Sequence, residues 1–209
     1  MLDAVIYDFG GVFIPSPFTA VRRIAAERGI ADEVLTAIVF GSYDDDTDHP
    51  WHRAERGEVD IISAARAIGA LAAEHEVEVD LFETLKALGG NGTLNEAMIA
   101  SVRRAREAGA RTAMLTNNVA EGRDIWQKLL PIDELFDAVV DSSAVGMRKP
   151  NPKVYEHTLE VLGVDEPGRS AFLDDYPGNV VAAAALGIIG ILVEDDPTSA
   201  IERLDALLL

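Results

Sequence analysis

The sequence contains no cysteine among its 209 residues. This absence excludes disulfide bonds, thiolate catalysis and zinc sites with cysteine ligands. Basic residues are also few, because 18 Lys and Arg face 36 Asp and Glu, which gives a formal net charge of −18. Nucleic-acid phosphates and anionic membrane surfaces are bound by clustered basic side chains, so this balance argues against both as partners. The charge favours divalent cations wherever several acidic side chains converge.

Long hydrophobic runs are absent as well. The longest apolar stretch, 180–193, has 14 residues and contains Gly187 and Gly190, so it is too short to span a bilayer. The first residues show no basic segment followed by a long apolar one, so we see no secretory signal and expect a cytoplasmic protein. Nothing in the sequence indicates the oligomeric state.

Short apolar runs alternate with amphipathic segments in the first few residues and again after residue 92. We predict strands at 4–8, 112–116, 138–140, 171–174 and 188–193. Between and after them we predict helices at 94–107, 121–129, 152–162, 178–186 and 197–207. This alternation is typical of a parallel sheet that is covered by helices on both faces. The expected fold class is therefore α/β, with a Rossmann-like three-layer core.

The segment between the first two predicted strands breaks this alternation. It contains no convincing strand, and we predict helices at 19–28, 31–40, 49–56, 60–75 and 80–88. Turn-forming residues bracket it, with Pro15-Ser16-Pro17 before it and Gly89-Gly90-Asn91-Gly92 after it. We therefore expect an α/β core at 1–15 and 92–209, interrupted by an all-helical cap domain at 16–91.

Polar residues follow the predicted strands at the end where parallel α/β sheets bind their ligands. Three carboxylates, one hydroxyl and one ammonium are expected to meet there, from Asp8, Thr116, Lys149, Asp174 and Asp175. Carboxylate oxygens suit a hard cation, and an ammonium with hydrogen-bond donors suits a phosphoryl group. The pattern thus indicates one site for a metal ion and a phosphate.

The four segments that carry these residues resemble the four motifs of the haloacid-dehalogenase (HAD) superfamily, in the same order and at suitable spacing. The helical insertion is similar to the small cap of that family. Within it, the segment Trp51-His52-Arg53-Ala54-Glu55-Arg56-Gly57-Glu58 and the string Arg148-Lys149-Pro150-Asn151-Pro152 resemble sugar-phosphate phosphatases and the phosphatase domain of soluble epoxide hydrolases. The resemblance covers the whole chain.

The resemblance implies a magnesium-dependent phosphatase in which Asp8 attacks phosphorus and forms an aspartyl-phosphate that water hydrolyses. It implies that Asp8, the backbone carbonyl of Gly10 and Asp175 bind Mg²⁺. It places Asp174 among the catalytic residues. Asp174 and Asn179 are expected to orient the groups around the metal ion.

On the substrate side, the resemblance implies that Thr116 and Lys149 are catalytic and hold the phosphoryl oxygens. Asn117 and Gly11 are the further predicted substrate-binding residues. The implied partner is a small phosphorylated metabolite, with a sugar phosphate as one candidate.

One position departs from the family pattern. Most phosphatases of the superfamily have Asp two residues after the nucleophile, where it protonates the leaving oxygen, and this chain has Gly10. General acid–base catalysis contributes ~10²–10⁴-fold, so we expect a preference for leaving groups that need little protonation. His49 and His52 are candidate replacements because histidine titrates near neutral pH, although we favour surface histidines with no catalytic role.

Two alternatives follow from Gly10. A 2-haloacid dehalogenase needs no general acid, because halide leaves unprotonated, but such enzymes do not need the acidic pair Asp174-Asp175. A non-catalytic protein that binds phosphate and metal on the same fold is the other alternative.

Overall fold

The computed structural model describes residues 1–88 and 94–209, and its centre is a five-stranded parallel sheet. The strands are β1 (Ala4–Tyr7), β2 (Arg111–Thr116), β3 (Ala138–Asp141), β4 (Ser170–Asp174) and β5 (Ile189–Leu192). The predicted strands are confirmed, with ends that differ by one residue or less. The strand order is β3-β2-β1-β4-β5, so the carboxyl end of β1 lies between those of β2 and β4.

Helices follow β1 directly, as predicted. They are α1 (Pro17–Arg28), α2 (Asp32–Val39), α3 (Pro50–Glu55), α4 (Ile61–Glu74) and α5 (Leu81–Leu88). Their buried side chains form a hydrophobic cluster that includes Leu35, Phe40 and Ile68 and that Val119, after β2, joins. This separate cluster supports the predicted cap at 16–91, but the division into two domains stays a prediction, and the glycine-rich boundary at 89–92 lies outside the described residues.

The remaining helices alternate with the other strands. They are α6 (Glu96–Glu107), α7 (Arg123–Trp126), α8 (Ile132–Leu135), α9 (Ser142–Val145), α10 (Pro152–Leu162), α11 (Pro177–Ala185) and α12 (Thr198–Leu208). None of the helices within the two described ranges combines the length and the apolar character needed to cross a lipid bilayer.

Successive side chains of β1 point to opposite faces of the sheet, and both faces are covered. Val5 and Tyr7 pack in a cluster with residues of α6 and α12. Ala4 and Ile6 pack in a second cluster with residues of α10 and α11. Because β1 is fully buried between the two clusters, the core has three layers, and the predicted α/β Rossmann-like fold is confirmed.

The start of α10 shows why the sequence places a helix after the Arg-Lys-Pro string. The side chain of Asn151 accepts a hydrogen bond from the Lys153 N–H at 3.2 Å and so caps the helix. Pro152 occupies the first turn, where its fixed φ suits a helix. Gly163 ends α10 in the left-handed conformation at φ 60°. The loop before Asn151, which carries Lys149, is thereby fixed against the sheet.

The predicted helix at 121–129 is wrong in extent. A 3-10 turn at Ala120–Gly122 leads into α7, which has only four residues, and turns follow it. Gly122 at its start has low helix propensity, and Pro131 lies soon after it. The short helices α8 and α9 were not predicted, because four residues are too few to show helical periodicity.

Candidate active site

The carboxyl ends of β1 and β4 bring two predicted site residues next to a lysine. Asp8 follows β1, and Asp174 is the last residue of β4. The ammonium of Lys149 lies 2.8 Å from Asp8 Oδ1 and 2.7 Å from Asp174 Oδ2. Lys149 is 1% exposed, so this lysine is an internal cation shared by two carboxylates.

The charges of this cluster shift the pKa values of its members. Burial alone lowers the pKa of Lys149, but the carboxylates of Asp174 and Asp8 outweigh it, and the pKa is raised. Burial raises the pKa of Asp8 well above its usual range, although Lys149 opposes the shift. Burial, with the nearby Asp174 carboxylate, raises the pKa of Asp175 to about 7. One ammonium therefore faces three crowded carboxylates.

This crowding matches the donor set that a hard cation requires. Asp8, Asp174 and Asp175 each offer a carboxylate oxygen, and the three oxygens lie within 4.8 Å of one another. Mg²⁺ binds oxygen ligands and is held by one or two carboxylates with water completing its shell. Gly10 lies two residues after Asp8 and lines the same cavity. The residues present thus fit a magnesium ion.

Gly11 lies directly against the carboxylate of Asp175. Its φ is +70°, and a Cβ atom added there would lie 2.1 Å from the Asp175 Cγ and Oδ2 atoms. Only glycine can therefore adopt this backbone conformation and lie this close to the Asp175 carboxylate. The structure gives Gly11 a contact with an acidic side chain of the cluster, whereas its predicted contact with substrate stays a prediction.

Asp174 is held by three donors. Its Oδ1 accepts the Tyr176 N–H at 2.8 Å, and its Oδ2 accepts the Lys149 ammonium. The Asn179 amide donates to both carboxylate oxygens at 3.1 Å. Both Asp174 and Asn179 are buried. Asn179 thus touches the carboxylate that positions Lys149, in agreement with the orienting role that the resemblance implies.

The remaining predicted residues, Thr116 and Asn117, lie at the end of β2. Thr116 is 2% exposed and lines the same cavity as Asp8. The Asn117 amide donates to the Lys149 carbonyl at 3.0 Å, and its oxygen accepts the Lys149 N–H at 2.8 Å. Asn117 therefore fixes the backbone of Lys149, which differs from a direct contact with substrate.

Sequence reasoning missed an ion pair beside this site. Arg148 and Glu55 are fully or almost fully buried, and Arg148 Nε lies 2.7 Å from Glu55 Oε2. Glu55 also accepts the Trp51 indole N–H at 2.8 Å and the Tyr43 hydroxyl at 3.1 Å. Both residues lie within the two segments that resemble the family, but 93 positions separate them, and no pattern signals their pairing.

The two candidate replacement acids do not point to proton transfer. His52 is fully buried in α3, so the expectation of a surface histidine is wrong for it. Its Nδ1 accepts the Thr47 N–H at 3.0 Å. Burial and the nearby Arg148 lower the pKa of His52 to about 3, which leaves the ring neutral near pH 7. His49 Nδ1 caps α3 by accepting the Trp51 N–H at 3.2 Å.

A cavity of about 580 Å³ opens above Asp8. Asp8, Gly10, Thr116, Lys149 and Asp175 form its polar end. Its volume lies within the ~300–1,000 Å³ that is usual for small-molecule sites. The strand-end residues are therefore reached from a cavity that can hold more than a phosphoryl group.

Comparison with known proteins decides the family. Residues 2–187 match the model of the haloacid dehalogenase-like hydrolases. The chain belongs to this family of hydrolases. The predicted resemblance is confirmed, and so is the expectation of a hydrolytic enzyme.

Several curated proteins are similar to the chain. Acyl-CoA dehydrogenase family member 10 of Mus musculus is 32% identical over 98% of the chain but 19% of its own length. Bifunctional epoxide hydrolase 2 of Rattus norvegicus is 31% identical over 54% of the chain and 21% of its own length. The chain thus spans about a fifth of these two relatives. The sesquiterpene phosphatase AstK of Aspergillus oryzae is 26% identical over 95% of the chain and 93% of its own length.

Solved structures share the fold. A HAD family enzyme of Bacteroides thetaiotaomicron, in complex with magnesium and inorganic phosphate, superposes with a TM-score of 0.62 at 17% identity, over 94% of this chain and 96% of that one. The L-2-haloacid dehalogenase RSc1362 has a TM-score of 0.68 at 16% identity, over 98% and 99% of the two chains. The fold is therefore shared by an enzyme that binds magnesium and phosphate and by a dehalogenase, so the fold alone does not decide between phosphatase and dehalogenase activity.

Proposed function

We propose that the protein is a magnesium-dependent phosphatase that hydrolyses a small phosphomonoester through an aspartyl-phosphate on Asp8. One observation carries the proposal. The carboxylate of Asp8 lies at the polar end of a cavity, 2.8 Å from the buried ammonium of Lys149 and beside Asp174 and Asp175. A nucleophilic carboxylate, an internal cation and an acidic metal-binding cluster are the parts that phosphoryl transfer requires.

In the first step, Asp8 attacks phosphorus and the bond between phosphorus and the ester oxygen breaks. Oδ1 of Asp8 is held by the Phe9 N–H at 2.7 Å and by Lys149, so we expect Oδ2 to be the attacking oxygen. Lys149 and the hydroxyl of Thr116 contact the phosphoryl oxygens. Their charge and hydrogen bond stabilise the negative charge that spreads over those oxygens.

Asp8, Asp175 and the Gly10 carbonyl would hold the magnesium ion. When bound, the ion neutralises charge on the phosphoryl oxygens and on the carboxylates around it. Asp174 and Asn179 keep Lys149 in place, and Asn117 fixes the Lys149 backbone. Asp174, Asn179 and Asn117 therefore position the Lys149 ammonium and do not react themselves.

In the second step, water attacks phosphorus, the bond to Asp8 breaks, and inorganic phosphate leaves with the carboxylate restored. Gly10 supplies no proton to the departing ester oxygen in the first step. We therefore expect rates that depend strongly on how well the leaving group bears negative charge. Aryl and acyl phosphates should react faster than alkyl phosphates.

The test is phosphate release from para-nitrophenyl phosphate with and without Mg²⁺. Asp8→Asn, which keeps the shape of the side chain, should lower the rate by at least ~10³-fold. Asp133→Asn, at an exposed position of α8, is the matched control and should be unchanged. Full activity of Asp8→Asn would overturn the assignment of the nucleophile.

The two alternatives predict other results, one of them in a separate assay. A 2-haloacid dehalogenase would release chloride from 2-chloropropionate without Mg²⁺. The cluster of Asp174 and Asp175 argues against it, because those enzymes need no cation. A binding protein would bind Mg²⁺ and phosphate but hydrolyse no phosphomonoester.

A further inference from the structure

Beyond the polar end at Asp8, most of the side chains that line the cavity are apolar. Helices α1, α3, α4 and α5 and the segments between them contribute one wall, which includes Phe18, Phe40 and Trp51. The segment after β2 contributes further apolar lining, which includes Val119, Trp126 and Leu129. A substrate that fills the cavity would therefore bury most of its organic part against carbon.

The aromatic wall is packed into a fixed surface. The Phe18 ring lies 6.0 Å from that of Phe40 and 4.7 Å from that of Tyr43, centre to centre. Phe40 contacts Trp51 at 5.2 Å. Edge-to-face pairs at these distances stabilise one another. The wall is thus preformed and has little freedom to turn polar atoms towards a ligand.

The carboxylates along these walls already have protein partners. Glu55 accepts three hydrogen bonds, from Arg148, Trp51 and Tyr43. Glu121 accepts the Ile61 N–H at 3.0 Å. Among the lining residues that the structure describes, the other two carboxylates are Asp8 and Asp175, and both lie at the polar end. The asparagines of the lining are also engaged, because Asn117 and Asn179 hold Lys149 and Asp174, and Asn118 Oδ1 accepts the Val119 N–H. Sugar hydroxyls that entered the cavity would leave water and find few partners in exchange.

Apolar side chains also surround the mouth of the cavity. Phe82, Ile125 and Leu129 line it and are 51%, 70% and 39% exposed. Phe82 comes from α5, and Ile125 and Leu129 come from the segment after β2. Exposed apolar residues scattered singly need no explanation, but a convergent group marks a surface that binds something apolar.

We propose that the substrate is a phosphate monoester of a large apolar alcohol or phenol, with its phosphate at Asp8 and its hydrocarbon or aromatic group along these walls. The proposal rests on the phosphatase activity proposed above and narrows its substrate. It favours an apolar ester over a sugar phosphate, because the walls offer carbon where a sugar needs hydrogen-bond partners.

The experiment uses phenyl phosphates with para-alkyl groups of two, four and six carbons. These compounds all have an aryl leaving group, so the lack of a general acid at Gly10 affects all of them equally. We expect kcat/KM to rise about three- to fourfold for each added CH₂ until the chain fills the cavity. A phenyl phosphate with a para-glucosyl group, of similar size but polar, should react at least about tenfold more slowly than the hexyl compound.

Two exposed residues provide matched variants. Ile125→Asn removes an apolar side chain at the mouth, and Val181→Asn removes one of similar exposure, 68%, on α11 outside the cavity lining. Ile125→Asn should lower kcat/KM for the hexyl compound by a factor about ten times larger than the factor by which it lowers kcat/KM for phenyl phosphate. Val181→Asn should change neither.

The outcomes separate the two proposals. Magnesium-dependent hydrolysis of para-nitrophenyl phosphate without any gain from the alkyl chain, or with equal reaction of the glucosyl compound, would overturn the substrate class and leave the phosphatase standing. A gain that Ile125→Asn and Val181→Asn reduce equally would show that this cavity does not bind the chain. No hydrolysis of any compound would reject both proposals.

Discussion

Arg148 Nε lies 2.7 Å from Glu55 Oε2, and both side chains are shielded from water. Glu55 ends α3, whereas Arg148 directly precedes Lys149. The guanidinium also lies over the Tyr43 ring at 5.2 Å. This pair therefore connects the helical segment after β1 to the loop that supplies the internal ammonium of the candidate site.

We expect Glu55→Gln to destabilise the protein by about 3 kcal/mol, because the buried guanidinium loses its nearest carboxylate and keeps only that of Asp46 at 3.8 Å. Glu58→Gln is the control. Glu58 pairs with Arg56 at 2.6 Å but is 42% exposed, and exposed pairs contribute less than about 1 kcal/mol. Urea unfolding of both variants measures the difference. If both variants lose the same free energy of unfolding, breaking the buried Arg148–Glu55 pair costs no more than breaking an exposed pair.

A second prediction concerns the missing general acid. A Cβ atom at Gly10 would lie 3.5 Å from Pro17 Cδ, which is ordinary contact, so the backbone there tolerates a Cβ atom. We expect Gly10→Asp to raise the turnover of an alkyl phosphate by up to ~10²-fold relative to an aryl phosphate, since only the alkyl group needs a proton to leave.

The control for this change is Gly10→Asn, which has the same size but no acidic proton. It should leave the ratio of alkyl to aryl turnover as it is in the natural protein. If the aspartate and asparagine variants shift that ratio alike, the absence of an acid at this position does not limit the reaction.

Magnesium should stabilise the fold independently of turnover. Asp8, Asp174 and Asp175 repel one another with one ammonium among them. A ligand present at 100 times its Kd adds about 2.7 kcal/mol to the free energy of unfolding, so we expect Mg²⁺ to raise the Tm. Asp175→Asn should raise the Tm without metal and reduce the gain from Mg²⁺, as followed by thermal unfolding. If Mg²⁺ raises the Tm of Asp175→Asn as much as that of the natural protein, Asp175 is not a ligand of the metal ion.

The sheet and its strand-end residues were predictable because they follow local rules. Short apolar runs mark buried strands, and parallel strands present their carboxyl ends at one edge. These two rules bring Asp8, Asp174 and Lys149 to one edge from separated parts of the sequence, as the structure confirms.

Other features depend on long-range packing and leave no local pattern. The Arg148–Glu55 pair joins residues 93 positions apart. The burial of His52 depends on how α3 packs against its neighbours, which helical periodicity over six residues cannot show. The apolar walls likewise combine side chains from α1, α3, α4 and α5 with those of the segment after β2, and only the assembled fold brings them together.

The buried histidine leads to the last prediction. Because the pKa of His52 is lowered to about 3 in the folded protein from about 6.5 in the unfolded chain, the unfolded chain takes up more protons between these values. The contribution of neutral, buried His52 to the free energy of unfolding is therefore fully present above pH 6.5 and is lost as the pH falls towards 3. At pH 5 the expected loss is about 2 kcal/mol.

His52→Asn, whose side-chain oxygen can accept the Thr47 N–H, should lack this loss. Urea unfolding at pH 8 and pH 5 measures it, and if the stability difference between the two proteins is the same at both pH values, His52 is not the buried neutral group that the structure describes.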